Sequence, residues 1–193
     1  MIAFFGGSFD PVHEGHCHLA EELQKRFKFQ TFYFVPAKKN PLKPNETHAT
    51  SKQRLEMLAL AIAELKNPVF KILDWEIHRD GPSYTVDTLR KLKEQSSGEI
   101  SLIIGNELLA TFPQWKEPEE ILKLAQLIIV RRDPNSPVPE KFQTVDVQAL
   151  PYSSTELRSK IQKQWENGDL AVAPQGIQRS VWLFVKENRL YCR

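Results

Sequence analysis

The sequence predicts an α/β fold, a Rossmann-like, doubly wound and mostly parallel sheet with helices on both faces. Three observations predict it. Short apolar runs of strand length alternate along the chain with longer segments whose apolar residues recur at helical spacing. Glycines stand at the carboxyl ends of two of those runs, Gly6-Gly7 and Gly105, where ligands of open α/β sheets collect. No internal repeat, low-complexity tract or interdomain linker interrupts the alternation, so residues 1–193 are expected to form one domain, with a C-terminal helical part from about residue 153.

Taken in order, Ile2-Ala3-Phe4-Phe5 reads as a buried strand, broken by Gly6, Gly7 and Pro11. A helix is predicted from near His16, with Leu19, Ala20, Leu23 and Phe27 on its apolar stripe. Thr31 to Val35 is the next strand, ended by Pro36, and strand, helix, strand implies a parallel crossover. Residues 37–50 form a long loop carrying Lys38, Lys39 and Lys43. Thr50-Ser51-Lys52-Gln53 has capping-box spacing and opens a helix striped by Leu55, Leu58, Ala59 and Ile62. Further strands are predicted at 69–73, 100–104, 127–131 and 144–147, with a loop at 76–82 and helices from about Ser83, around 107–110 and near 119–124. Ser153-Ser154-Thr155-Glu156 has capping-box spacing again, before a helix burying Leu157 and Ile161. Ile177, Val181, Phe184 and Val185 stripe a terminal helix.

Composition narrows the function. A chain of 193 residues, 41% hydrophobic and 26% charged, is an ordinary globular protein that buries roughly 70% of its unfolded surface. No apolar stretch approaches the ~20 residues of a membrane span. The chain begins in a strand, with no basic-then-apolar leader, and its two cysteines, Cys17 and Cys192, lie far apart without CxxC spacing. A cytoplasmic protein with reduced thiols and no membrane partner is expected. A net charge of +2 is far from the basic face of a nucleic-acid binder, so the natural partner is a small anion. A homo-oligomer is left open.

The anion site is expected at Gly6 to His16, GGSFDPVHEGH. A glycine turn between a strand and a helix N-terminus presents backbone N–H groups and the positive end of the helix dipole. His13 and His16, three apart with Gly15 between them, can turn both rings to the same anion. A metal site of His13, His16 and His18 is the competing chemistry, but no Cys or paired carboxylate stands at ligand spacing to complete it, and His18 is expected to be an ordinary surface residue. No nucleophile and base pair is evident. Arg158 is expected in the first turn of the helix opened at 153–156, where a cation opposes the dipole, which hints at a bound anion. Lys43 is a point charge suited to phosphate.

Four segments in order resemble the nucleotidyltransferase superfamily marked by an H-x-G-H signature, and specifically the bacterial nicotinate-nucleotide adenylyltransferases. They are GGSFDPVHEGH at 6–16, EIHRDGPSYT at 76–85, IIGNE at 103–107 with Trp115 downstream, and SSTELR at 153–158. The resemblance implies transfer of AMP from ATP to nicotinate mononucleotide, releasing pyrophosphate, with Mg²⁺ accompanying ATP. It implies that His13 and His16 donate to the α-phosphate. Gly6, Gly7, Ser8, Phe9, Gly15, Lys43, Gly105, Ser154 and Arg158 would hold ATP. Ser83, Tyr84, Thr85, Glu107, Trp115 and Arg132 would hold the mononucleotide, Trp115 stacking on the pyridine and the Thr85 N–H meeting its carboxylate. Two departures stand out: Glu107 where the family usually has aspartate, and Leu42 where many members have the histidine of Pro-His-Lys. Pantetheine-phosphate adenylyltransferases and cytidylyltransferases share the HxGH turn but should lack GPSYT and SSTELR. A class I aminoacyl-tRNA synthetase would need a longer chain. A nucleotide-sensing module without turnover is the alternative outside enzymes.

Overall fold

A computed structural model describes residues 1–42, 47–131, 137–148 and 150–192. Its strands are β1 (Ile2–Gly7), β2 (Thr31–Pro36), β3 (Phe70–Ile72), β4 (Ile100–Gly105), β5 (Gln126–Arg131) and β6 (Gln143–Asp146). They form one six-stranded sheet in the order β3-β2-β1-β4-β5-β6, and every pairing is parallel. The expected doubly wound sheet is therefore observed. Strand order reverses between β1 and β4, whose registers pair Ile2 with Ile100 and Phe5 with Ile103. The carboxyl ends of these two neighbours carry Gly6-Gly7 and Gly105, which puts both glycine turns at the crevice where such sheets bind ligands.

Successive side chains of a strand point to opposite faces, and β1 divides accordingly. Ala3 and Phe5 enter one apolar core, with the helix α1 (Glu14–Phe27), the helix α2 (Ser51–Glu64) and the helices α6 (Ser154–Asn167) and α7 (Arg179–Glu187). Ile2 and Phe4 enter the other, which the helices α4 (Thr85–Gln95) and α5 (Pro118–Leu124) cover through Val86, Leu89, Leu92 and Ile121. A short helix α3 (Trp75–His78) occupies part of the segment expected to be a loop. It forms because Glu76 and Ile77 are buried there, and Thr88 Oγ1 donates to Glu76 Oε1 at 2.8 Å.

Helix ends follow their local chemistry. At α2 the Gln53 N–H donates to Thr50 Oγ1 at 3.3 Å while the Thr50 N–H donates to Gln53 Oε1 at 2.9 Å, the capping box expected there. At α6 the Glu156 N–H donates to Ser153 Oγ at 3.2 Å. Two readings shift. The helix α1 starts at Glu14 rather than near His16, because His13 is already its N-cap. The buried stripe of α2 is Arg54, Met57, Leu58 and Ala61, whereas Ala59 is exposed. The helix is rotated because Arg54, an unlikely core residue by type, satisfies its guanidinium on backbone carbonyls inside.

Candidate functional site

The glycine turn is shaped from its first residue. A Cβ on Gly7 would lie 3.0 Å from the ring of Phe9, and Phe9 takes a left-handed φ of 49° to bring its ring back over the turn. That ring meets the imidazole of His16 edge-on at 5.0 Å. The rings of His13 and His16 lie against each other, tilted by 34° with centroids 3.7 Å apart. His13 is only 4% exposed and His16 half-buried. Gly15 leaves room for this pair, since a Cβ there would press on the His13 ring at 3.0 Å.

The backbone N–H of His13 donates to His16 Nδ1 at 3.2 Å. With Nδ1 accepting, the neutral ring carries its proton on Nε2 and can donate from that atom. Not all the N–H groups expected to be open at this helix start are so. The Glu14 N–H donates to the carbonyl of Gly176 at 2.9 Å, because the loop before α7 docks on the turn, and the His16 N–H donates to the carbonyl of His13 at 2.9 Å within the first turn of the helix.

Asp10 and Arg54, to which the sequence reading gave no role, hold this turn in position. Asp10 is 3% exposed. Its Oδ1 accepts from the Ala49 N–H at 3.1 Å and the Tyr191 hydroxyl at 2.7 Å, and its Oδ2 from the His48 N–H at 2.7 Å. Arg54, with no exposed surface, donates through Nη1 to the carbonyls of Ser8 and Ala37, both at 2.7 Å, and through Nη2 to Lys38 O at 3.4 Å and Ser51 Oγ at 3.3 Å. Burial lowers its pKa, and the charge of Asp10 opposes that shift. One guanidinium thus ties the loop after β1 to the loop after β2. A signal existed: Arg54 stands three and four residues before Met57 and Leu58, on the apolar face of its helix.

Arg158 and Ser154 reach the same turn from α6. Arg158 Nη1 donates to Asp10 O at 2.7 Å and Ser154 Oγ to Pro11 O at 3.0 Å, contacts spanning well over a hundred residues of sequence. Arg158 lies in the second turn of α6, not the first. Together with His48, Thr155 and Tyr191 it lines a cleft open to solvent. His18 is half-exposed; its Nε2 lies 3.2 Å from the carbonyl of Gln148, and with His13, Gly15, Val130 and Tyr152 it bounds a second cavity.

The segment 83–85 is bound to the glycine turn through the loop after β2. Ala37 N–H donates to Gly7 O at 2.9 Å, Lys38 N–H to Ser83 Oγ at 2.8 Å, and Ser83 N–H to Lys39 O at 2.9 Å. Thr85 is the first residue of α4, so its N–H has no acceptor within the helix. Tyr84 and the half-buried Trp115 pack against the same apolar core, and Lys116 Nζ bonds Asp87 Oδ1 at 3.0 Å while lying 4.8 Å over the Tyr84 ring. The Glu107 carboxylate folds back over Gly105, where a Cβ would lie 2.2 Å from it, so that glycine makes the fold-back available. Lys43 and Arg132 lie outside the described residues. Among the described residues no group of three His, Cys, Asp or Glu side chains could hold a metal ion, and no helix is long and apolar enough to cross a membrane.

Comparison with known proteins converges on one family. The cytidylyltransferase-like family description matches residues 4–160. Proteins carrying the name "Probable nicotinate-nucleotide adenylyltransferase" are similar over most of the chain. That of Legionella pneumophila (strain Corby) is 43% identical over 147 residues, 75% of this chain and 68% of its own. That of Aquifex aeolicus is 49% identical over 135 residues, 69% of this chain and 78% of its own. That of Methylacidiphilum infernorum is 31% identical across 98% of this chain and 91% of its own. Among solved structures, Plasmodium falciparum nicotinic acid mononucleotide adenylyltransferase complexed with NaAD superposes with a TM-score of 0.77 at 20% identity, covering 99% of this chain and 97% of that one, which establishes the shared fold.

Proposed function

The chain belongs to the cytidylyltransferase-like family and, within it, to the nicotinate-nucleotide adenylyltransferases, and from that premise we infer that it transfers the adenylyl group of ATP to nicotinate mononucleotide, forming nicotinate adenine dinucleotide and pyrophosphate. A phosphate oxygen of the mononucleotide attacks the α-phosphorus of ATP. The new P–O bond forms as the bond to the bridging α–β oxygen breaks, and the electron pair leaves with pyrophosphate. The nucleophile is already an anion, so the protein has to align the reactants and stabilise charge rather than activate a hydroxyl.

The observation that carries this reading is the adjoining pair His13 and His16, with His16 Nδ1 accepting from the backbone. We assign His16 Nε2–H as donor to the α-phosphate, where charge builds in the in-line transition state. Buried His13 supports the ring and adds to the field at the same place. Arg158, held by the Asp10 carbonyl, is assigned to grip the leaving pyrophosphate, together with the first N–H of α6 at Ser154. Gly6, Gly7, Ser8, Phe9, Gly15 and Gly105 form the floor at the crevice. On the acceptor side, the Thr85 N–H meets the nicotinate carboxylate, Ser83 and Tyr84 shape the approach, Glu107 contacts the ribose and Trp115 stacks on the pyridine.

The described carboxylates offer no cage for Mg²⁺: both oxygens of Asp10 are taken by protein donors. We therefore treat Mg²⁺ as arriving with ATP, part of the substrate rather than a resident ion. A cytoplasmic location accords with the free thiols of Cys17 and Cys192.

The test is pyrophosphate release with ATP, Mg²⁺ and either nicotinate or nicotinamide mononucleotide. A charge-assisted bond from a backbone donor favours the acid by roughly tenfold or more. Equal rates would refute the acceptor pocket, and silence with both would leave a nucleotide sensor.

A further inference from the structure

The C-terminal residues reach back to the catalytic turn. Tyr191 is buried, and its hydroxyl donates to Asp10 Oδ1 at 2.7 Å across 181 residues of sequence. Asp10 stands three residues before His13 and is the point where three separate elements meet the turn. The 48–49 segment binds the two carboxylate oxygens through its N–H groups, the tail binds Oδ1 through Tyr191, and Arg158 binds the Asp10 carbonyl through Nη1. The tail is itself fixed: the Leu190 N–H donates to Val185 O at 3.0 Å, and Trp165 Nε1 of α6 donates to Leu190 O at 2.9 Å. Tyr191 therefore joins the core that carries α6 to the residue three positions before His13.

We propose that Tyr191 is a positioning residue for adenylyl transfer, acting through Asp10 to hold the His13–His16 turn and Arg158 in one mutual arrangement. A hydroxyl that donates to a buried carboxylate fixes the direction of its C–O bonds, and the Asp10 backbone moves with them. Without that donor, Asp10 keeps its bonds from residues 48 and 49 but loses its link to the tail. The turn and Arg158 then sample a wider range of separations, which lowers the fraction of ATP held for in-line attack. The acceptor segment 83–85, anchored on Lys38 and Lys39 instead, keeps its place.

This inference rests on the reading of the chain as an adenylyltransferase, and its test separates the two. Tyr191→Phe keeps the ring and removes only the hydroxyl. Assayed well below its melting midpoint, it is expected to lose about tenfold in kcat or in kcat/KM for ATP while KM for nicotinate mononucleotide stays within twofold. Asp10→Asn is expected to be impaired as well, and the double variant to be no worse than the poorer single variant, because both act through one bond. Additive losses, or an unchanged kcat in Tyr191→Phe, would overturn the proposal. A merely structural bond would lower the melting midpoint and leave the kinetic constants of the folded enzyme alone. If the unaltered chain turns over neither mononucleotide, the functional reading falls. The latch is then judged by the imidazole NMR signals of His13 and His16 in the apo protein, which Tyr191→Phe should shift or broaden. Unaltered signals would overturn it.

Discussion

Replacing Arg54 with methionine is the most informative single perturbation. Methionine roughly keeps the volume and removes every donor. Two of the lost bonds, to Ser8 O and Ala37 O, are 2.7 Å long and come from a charged group, and bonds of that kind contribute ~1.5–3 kcal/mol each. The bonds to Lys38 O and Ser51 Oγ, at 3.4 and 3.3 Å, add little. Against the loss stands relief of a buried guanidinium, the same burial that lowers its pKa. Two half-buried carbonyls left without this donor, less that relief, give a net destabilisation of about 2–5 kcal/mol. For a domain of this size each kcal/mol moves the melting midpoint by ~2–4 °C, so a fall of roughly 4 to 20 °C is expected in thermal unfolding followed by circular dichroism. Arg54→Lys keeps the charge without the fork and should fall between. A methionine variant melting within about 2 °C of the unaltered protein would show that the two loops do not depend on this side chain.

His16→Ala should lower kcat by about 10²- to 10³-fold in the pyrophosphate assay, the usual effect of removing one donor to developing charge; a loss of only a few-fold would sink its assigned role. Gly105→Ala must displace the Glu107 carboxylate, which lies 2.2 Å from the new Cβ, and should raise KM for nicotinate mononucleotide by roughly 3- to 10-fold, an unchanged KM counting against Glu107 as a ribose contact. Burial pushes the Cys17 thiol up to about 12, so a disulfide reagent at pH 8 should modify Cys192 rapidly and Cys17 only on unfolding, as mass spectrometry would read directly. Burial also raises the pKa of Glu76 above its ordinary 4.5, so its favourable contribution is present below that value and is lost as pH rises through the folded-state pKa. Urea titrations of Glu76→Gln should show the variant gaining on the unaltered protein across that rise, and a pH-independent difference would refute the assignment.

Local chemistry made the strands, the Thr50 cap and the glycine turn legible, because each rests on residues within a few positions of one another. The paired imidazoles were legible for the same reason, a three-residue spacing at a helix start. What escaped was stabilised at a distance. Asp10 finds its donors at residues 48, 49 and 191, and Arg54 its acceptors at residues 8, 37 and 38. A buried charge whose partners are mostly backbone groups leaves no complementary charge in the sequence to pair it with. The α2 stripe was misaligned by that same arginine, since hydrophobic periodicity treats every charged residue as outward-facing. Glu76 hid α3 in a similar way, a carboxylate buried against Thr88 in a stretch rich in polar residues. The proposed acceptor side at 83–85 and Trp115 was reached only through family resemblance, because a backbone N–H and a half-buried tryptophan carry no signature of their own.

The two faces of the sheet carry different trades. Phe5, Phe9, Leu157 and Tyr191, which back the imidazoles and Arg158, belong to one core, whereas Val86, Phe112, Tyr84 and Trp115, which back the proposed acceptor segment, pack in the other. At the site, the crevice between β1 and β4 and the hydrogen bonds through residues 37–39 join them. On the proposed assignment, repacking beneath Tyr84 and Trp115 is expected to retune which mononucleotide is accepted and to leave the proposed ATP side undisturbed. A scaffold divided in this way can exchange one specificity for another by substitutions confined to a single layer.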